Sequence, residues 1–193
     1  MKRQIVITPY QERWKTEFIE IGKKLRSIVG DGNGVLRIDH IGSTAVPNLG
    51  AKDIIDVQIT VNKLEDTTFQ ERLERENYVI KRDYLDNFVG LPDDSPELKK
   101  FFMRELEGQR RMHMHIREMG RFNQRFPLLF RDYLQASAPT RLAYHKVKVR
   151  LAELFPESID GYLSIKDPLM DLIYEAATHW GAHTQWQMDE DYL

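Results

Sequence analysis

The chain has no cysteine among its 193 residues. Disulfides, thiolate nucleophiles and cysteine-ligated metals are therefore excluded. No apolar run is long enough to span a bilayer. The charged start, MKRQ, lacks the apolar stretch of a secretory signal, so the chain reads as a soluble, cytoplasmic protein without a membrane partner. Excess positive charge is missing as well. Lys and Arg total 28 against 30 Asp and Glu, a net charge of −2, which gives no general argument for nucleic acid. Repeats and low-complexity linkers are also absent, and the length suits a single domain over 1–193.

The composition that is there, 41% hydrophobic and 30% charged, can build a core and keep it soluble. Thr8-Pro9-Tyr10-Gln11 has the form of a helix-opening capping box, with Thr8 as N-cap. Trp14, Phe18, Ile21, Leu25 and Ile28 follow at helical spacing, and Gly30 with DGNG ends that helix. VLRIDHI reads as a strand. So does IIDVQITV, in which Ile55, Val57, Ile59 and Val61 share one face and Asp56, Gln58 and Thr60 the other. A helix over 64–76 leads to a third strand in YVIKRDYL. ELKKFFMRELEGQRRMHMHI reads as a hairpin turning at EGQ. Its second arm sets His113, His115 and Arg117 opposite Met112, Met114 and Ile116. From Phe122 onward the pattern is helical. One stripe runs through Ala143, Val147, Leu151 and Leu154, and a last helix opens at Asp167 and Pro168. The order predicts an α+β fold: a strand-rich core over about 35–119, with the Asp56 strand central, and a helical tail over 122–183.

The stretch HIGSTAVPNLGAKDIIDVQITV holds the most chemistry. A small polar turn, Gly42-Ser43-Thr44, stands a short loop ahead of Asp56, a carboxylate in an apolar run. Such a turn can hold a phosphate with N–H and hydroxyl groups. It can equally be an ordinary turn before a strand. Asp56 beside Ile54 and Ile55 needs a partner: a metal, a Lys or Arg, or the N-terminus of a neighbouring helix that it caps. His113 and His115 form a metal-binding pair or two exposed hairpin side chains. Tyr144 and Lys148, one helical turn apart, point together at a ligand or lie on a solvated surface.

GSTAVPNLGAKDIID, followed by HMHI, FRDYLQ and YHKVKVRLA, resembles the GrpB family over almost the whole chain. The resemblance implies a nucleotidyltransferase-like mixed sheet of the polymerase-β-like superfamily, with helices packed on it. That superfamily places a Gly-Ser turn before two carboxylates at i and i+2 of a strand and a third on a neighbour, and these hold two metals for in-line displacement. Gly42, Ser43 and Asp56 match. Position 58 is Gln, and the third place falls at His113 or His115. The resemblance therefore implies a phosphorylated or nucleotide ligand on Gly42, Ser43 and Thr44, with Lys52, Arg131, Tyr144 and Lys148 around it. A divalent metal (Mg²⁺, Mn²⁺ or Zn²⁺) would be held by Asp56, Gln58, His113 and His115. Transfer of a nucleotidyl or phosphoryl group led by Asp56 is one expectation. A fold that binds without reacting, or docks a partner protein, is the alternative.

Overall fold

A computed structural model describes residues 4–189 and Leu193; the charged residues 1–3 lie outside the described residues. Strands β1 (Val35–Ile41), β2 (Ile55–Val61), β3 (Lys81–Leu85), β4 (Lys99–Arg104) and β5 (Met112–Glu118) form one mixed sheet in the order β1-β2-β5-β4-β3. Only β2 and β5 are parallel neighbours; the other pairs are antiparallel. The parallel step needs a crossover. The chain makes it through α2 (Thr67–Arg75) to the β3 edge and returns by the expected β4–β5 hairpin. β2 is thus an interior strand beside the middle one, β5.

The two faces of the sheet differ because strand side chains alternate. Ile55, Val57, Ile59 and Val61, with Met112, Met114 and Ile116, are buried against Trp14, Leu25 and Val29 of α1 (Arg13–Val29) and Phe69 and Leu73 of α2. Each such side chain contributes about 1.5–3 kcal/mol by leaving water. The opposite face carries Asp56, His113, His115 and Arg117. Three helices stand over it: α3 (Phe122–Ala136), α4 (Ala138–Leu154) and α5 (Ile159–Thr184). Their shared core includes Leu129, Leu134, Tyr144, Ile173, Tyr174 and Ala177. This mixed five-stranded sheet with helices on both faces is the α+β arrangement expected. Among the described residues no helix is long and apolar enough to cross a membrane.

Three local expectations are corrected. Thr8 caps nothing. Its backbone exchanges hydrogen bonds with Ala51 at 2.8 and 2.9 Å, and α1 starts at Arg13 with no side-chain cap. The last helix begins eight residues earlier than Asp167, at Ile159, where the Ser158 hydroxyl accepts from Gly161 N–H. Pro168 sits inside this helix and removes one backbone bond without ending it. On α4 the inward stripe is Tyr144, Lys148, Leu151 and Ala152, while Ala143 and Leu154 are exposed. The helix turns Tyr144 and Lys148 inward because Ser43 and the Gly50 carbonyl meet them there. At the β1 edge, Leu193 pairs with Ile38 through N–H···O bonds of 2.9 and 3.2 Å, which covers part of an open strand edge.

Candidate functional site

Between the polar sheet face and the helices lies a cavity of about 1160 Å³, and it is lined by Gly42, Ser43, Thr44, Lys52, Asp56, His113, His115, Tyr144 and Lys148. Eight parts of the expected site therefore come together with Asp56, from β2, β5, α4 and the loop after β1. Gly42 has φ 70°, and a Cβ there would strike the Asp56 carboxylate. Glycine is required by both conformation and close approach. The turn brings Ser43 to the cavity wall; Thr44, buried behind it, contacts His40 Nε2 through Oγ1 at 3.0 Å. Burial, outweighing the attraction of Asp56, lowers the pKa of His40 to about 4. Its ring is neutral near pH 7 and stacks on Phe18.

Asp56 and His113 are register partners of the parallel β2/β5 pair. His113 Nδ1 lies 3.4 Å from the carboxylate, and the two side chains are 23% and 28% exposed, His113 and Asp56 respectively. Lys148 is the opposite case. Only 2% of it is exposed. Its ammonium donates to Ser43 Oγ at 2.8 Å and to the Gly50 carbonyl at 2.6 Å, and it lies 5.0 Å from the Tyr144 ring centre. Burial, and then the charges of Lys166 and Lys52, lower its pKa to about 7. Tyr144 is buried too, and burial pushes its phenol well above the usual range, so it stays a neutral donor. Lys52 reaches the same space with its ammonium 5.4 Å from the Tyr162 ring centre. Lys166 pairs with Asp167 at 2.6 Å on the cavity wall.

The floor holds a charged cluster that the sequence did not announce. Asp86 accepts from Arg117 Nε and Nη2 at 2.9 and 3.1 Å, from Asn123 at 3.1 Å, and from Lys100. Burial alone would raise the Asp86 pKa; Arg117 and Lys100 overcome it and hold the carboxyl far below its ordinary range. His115 Nδ1 is 3.2 Å from the Lys100 ammonium. Burial first, then Lys100 and Arg117, keep this imidazole neutral. Lys100 and Arg104 were legible from strand parity once β4 was paired with β5, since they alternate onto the face of His113 and His115. Nothing local marks Asp86, which lies in the loop after β3.

Two expected residues stand apart. Arg131 points elsewhere, donating to Asp132 at 2.6 Å and to the His40 carbonyl at 3.0 Å. Gln58 is fully buried below the cavity. Its Oε1 accepts from Arg117 at 2.9 Å and its amide donates to the Gln124 carbonyl at 2.9 Å. A metal held by this oxygen would share it with the Arg117 guanidinium. The rest of the donor set fits a divalent metal poorly. His115 faces an ammonium, and among the described residues Asp56 is the one carboxylate within ion-pair distance of His113. Among the described residues no three His, Cys, Asp or Glu side chains are grouped to hold a metal. Hard cations take six or more oxygen ligands, largely carboxylate, carbonyl and water.

Fold and site together define an α+β protein built around a charged, partly aromatic cavity. The sequence pattern described as GrpB protein matches residues 4–176, and the chain belongs to the GrpB family. A solved structure of conserved protein GrpB from Enterococcus faecalis is 30% identical, with a TM-score of 0.73 over 91% of this chain and 99% of that one. UPF0157 protein YqkA of Bacillus subtilis is 32% identical over 93% of this chain and 49% of its own length. A protein of Mycobacterium leprae named dephospho-CoA kinase is 34% identical over 81% of this chain and 43% of its own length. The chain thus spans about half the length of these curated relatives. A weaker likeness, with a TM-score of 0.47 and 12% identity, is to a cytoplasmic RNA terminal U-transferase, over 73% of this chain and 40% of that one.

Proposed function

We propose that the cavity binds a phosphorylated, nucleotide-like small molecule. The observation that carries this reading is Lys148. A lysine 2% exposed whose ammonium bonds neutral oxygens is costly to keep charged unless something anionic reaches it. Ser43 and Tyr144 supply neutral donors beside it, and Lys52 a second charge. Phe122, Phe126 and Phe130 line another part of the same cavity and offer flat apolar surface to a base. The volume, about 1160 Å³, is somewhat above the usual range for small-molecule pockets, about 300–1000 Å³. The kinase in the name of the mycobacterial relative is not what this site supports: the sequence has no G-x-x-x-x-G-K-S/T phosphate loop.

A thermal-shift screen tests the reading by setting phosphorylated compounds beside their dephosphorylated counterparts. A ligand at about 100 times its Kd stabilises by about 2.7 kcal/mol. Stabilisation by adenosine triphosphate but not adenosine, lost in Lys148→Met, is expected. Equal behaviour of the two compounds, or of the two proteins, rejects the reading.

Transfer of a phosphoryl or nucleotidyl group is the second reading, and the Asp56–His113 pair favours it. In nucleotidyl transfer an acceptor hydroxyl would attack the α-phosphorus of a nucleoside triphosphate, the bond to the β-phosphate would break to release pyrophosphate, and the hydroxyl proton would pass to His113. Release of labelled pyrophosphate that stops in His113→Gln would support transfer over binding alone.

A further inference from the structure

Two-metal transfer sites bring positive charge to the phosphates as metal ions and use three carboxylates to hold those ions. Here the charge is supplied differently. Lys148, Lys52 and Arg104 line the cavity, and among the described residues none of the three is within ion-pair distance of a carboxylate. Lys148 meets Ser43, the Gly50 carbonyl and the Tyr144 ring, Lys52 the Tyr162 ring and Arg104 the Phe102 ring. In the floor, one carboxylate, Asp86, faces two cations, Lys100 and Arg117, which leaves one positive charge uncompensated. On the other side of the balance Asp56 stands next to His113, the register partner of Arg104 on β4.

The same arrangement works against a metal. A dication beside Asp56 would sit among Lys52, Lys148 and the floor cations, and like charges a few ångströms apart repel by kilocalories in a low-dielectric site. Gln58 stands where a second carboxylate would, and Arg117 engages its oxygen; of the other acids on the cavity wall, Asp53 is held by Arg13 and Arg110 and Asp167 by Lys166. The geometry points to a metal-independent phosphate site, in which Lys148, Lys52 and Arg104 contact the ligand's phosphates directly and Asp56 orients His113. This rests on the phosphorylated-ligand reading and goes beyond it. In this arrangement Asp56 is a like charge near the phosphates, so it limits affinity.

Calorimetric titration of adenosine triphosphate and of inorganic pyrophosphate into the full chain tests this, with EDTA and with Mg²⁺, Mn²⁺ or Zn²⁺ in turn. The expected Kd in EDTA lies within about threefold of the metal values, less than 1 kcal/mol. Asp56→Asn is expected to bind as tightly or up to about tenfold more tightly, because removing a nearby like charge is worth about 1.4 kcal/mol or less. Arg104→Gln, a change at an exposed side chain, is expected to weaken binding in EDTA about tenfold. Binding that needs metal and is lost in Asp56→Asn overturns this inference while leaving the ligand reading standing. Unchanged affinity in both Arg104→Gln and Lys52→Met also overturns it. Absence of binding by either probe in every buffer overturns both readings together.

Discussion

Replacing Lys148 with methionine separates stability from function, and the size of the effect follows from the structure. Lys148 has its pKa lowered from 10.5 to about 7 by burial first and the Lys166 and Lys52 charges next. At about 1.4 kcal/mol per pH unit, holding the ammonium buried costs roughly 5 kcal/mol below pH 7. The sign follows from proton binding. Between the folded and unfolded values the unfolded chain binds the extra proton, so wild-type stability rises with pH from about 7 toward 10.5. Methionine keeps the stem and removes the charge. It also leaves Ser43 and the Gly50 carbonyl without their donor, at about 1–3 kcal/mol each. The balance predicts that Lys148→Met lies between about 1 kcal/mol less and about 3 kcal/mol more stable than wild type near pH 6. Near pH 9.5 the difference shifts toward wild type by roughly 3 kcal/mol. Urea unfolding at the two pH values measures both numbers. A variant less stable than wild type at both, by the same amount, would show that Lys148 is a structural donor and would refute the reasoning.

Three further outcomes are expected. Gly42→Ala should lose about 2–4 kcal/mol in urea unfolding, because φ 70° and the Asp56 carboxylate both oppose a Cβ; a change below about 0.5 kcal/mol would contradict the close approach. Asp86→Asn should cost about 3–5 kcal/mol at neutral pH by leaving Lys100 and Arg117 without their carboxylate. Because Asp86 is held below the carboxylate range, its contribution is present above the ordinary Asp value of 3.8 and fades as pH falls below it; the variant's stability should therefore be flatter there, and a parallel acid limb would argue against it. Arg131→Gln should leave adenosine triphosphate affinity unchanged, since Arg131 holds Asp132 and the His40 carbonyl outside the cavity; a tenfold loss in calorimetry would restore it to the site.

Much of this was legible because alternation is a strict rule. The β2 pattern fixed which face takes Ile55 and which takes Asp56, and the β5 pattern did the same for Met114 and His113. Helix α4 shows where such reasoning stops. Its apolar residues suggest one stripe, yet Tyr144 and Lys148 face inward, because Ser43 and the Gly50 carbonyl await them there and the hydrophobic pattern carries no information about such partners. Gln58 shares strand parity with Asp56, but parity could not reveal that Arg117 reaches across from β5 to engage its oxygen. Asp86 was invisible for a different reason: its partners lie 14 and 31 positions away, and only the assembled sheet brings them together. Thr8 carried a valid capping signal that a backbone bridge to Ala51 displaced.

The account turns on whether phosphate reaches Lys148. A crystal structure of the full chain grown with adenosine triphosphate answers that directly. The expected result is phosphate oxygens within about 3.2 Å of the Lys148 and Lys52 ammonium groups, with His113 Nε2 facing them. Triphosphate bound elsewhere, with Lys148 still donating only to Ser43 and Gly50, would contradict it.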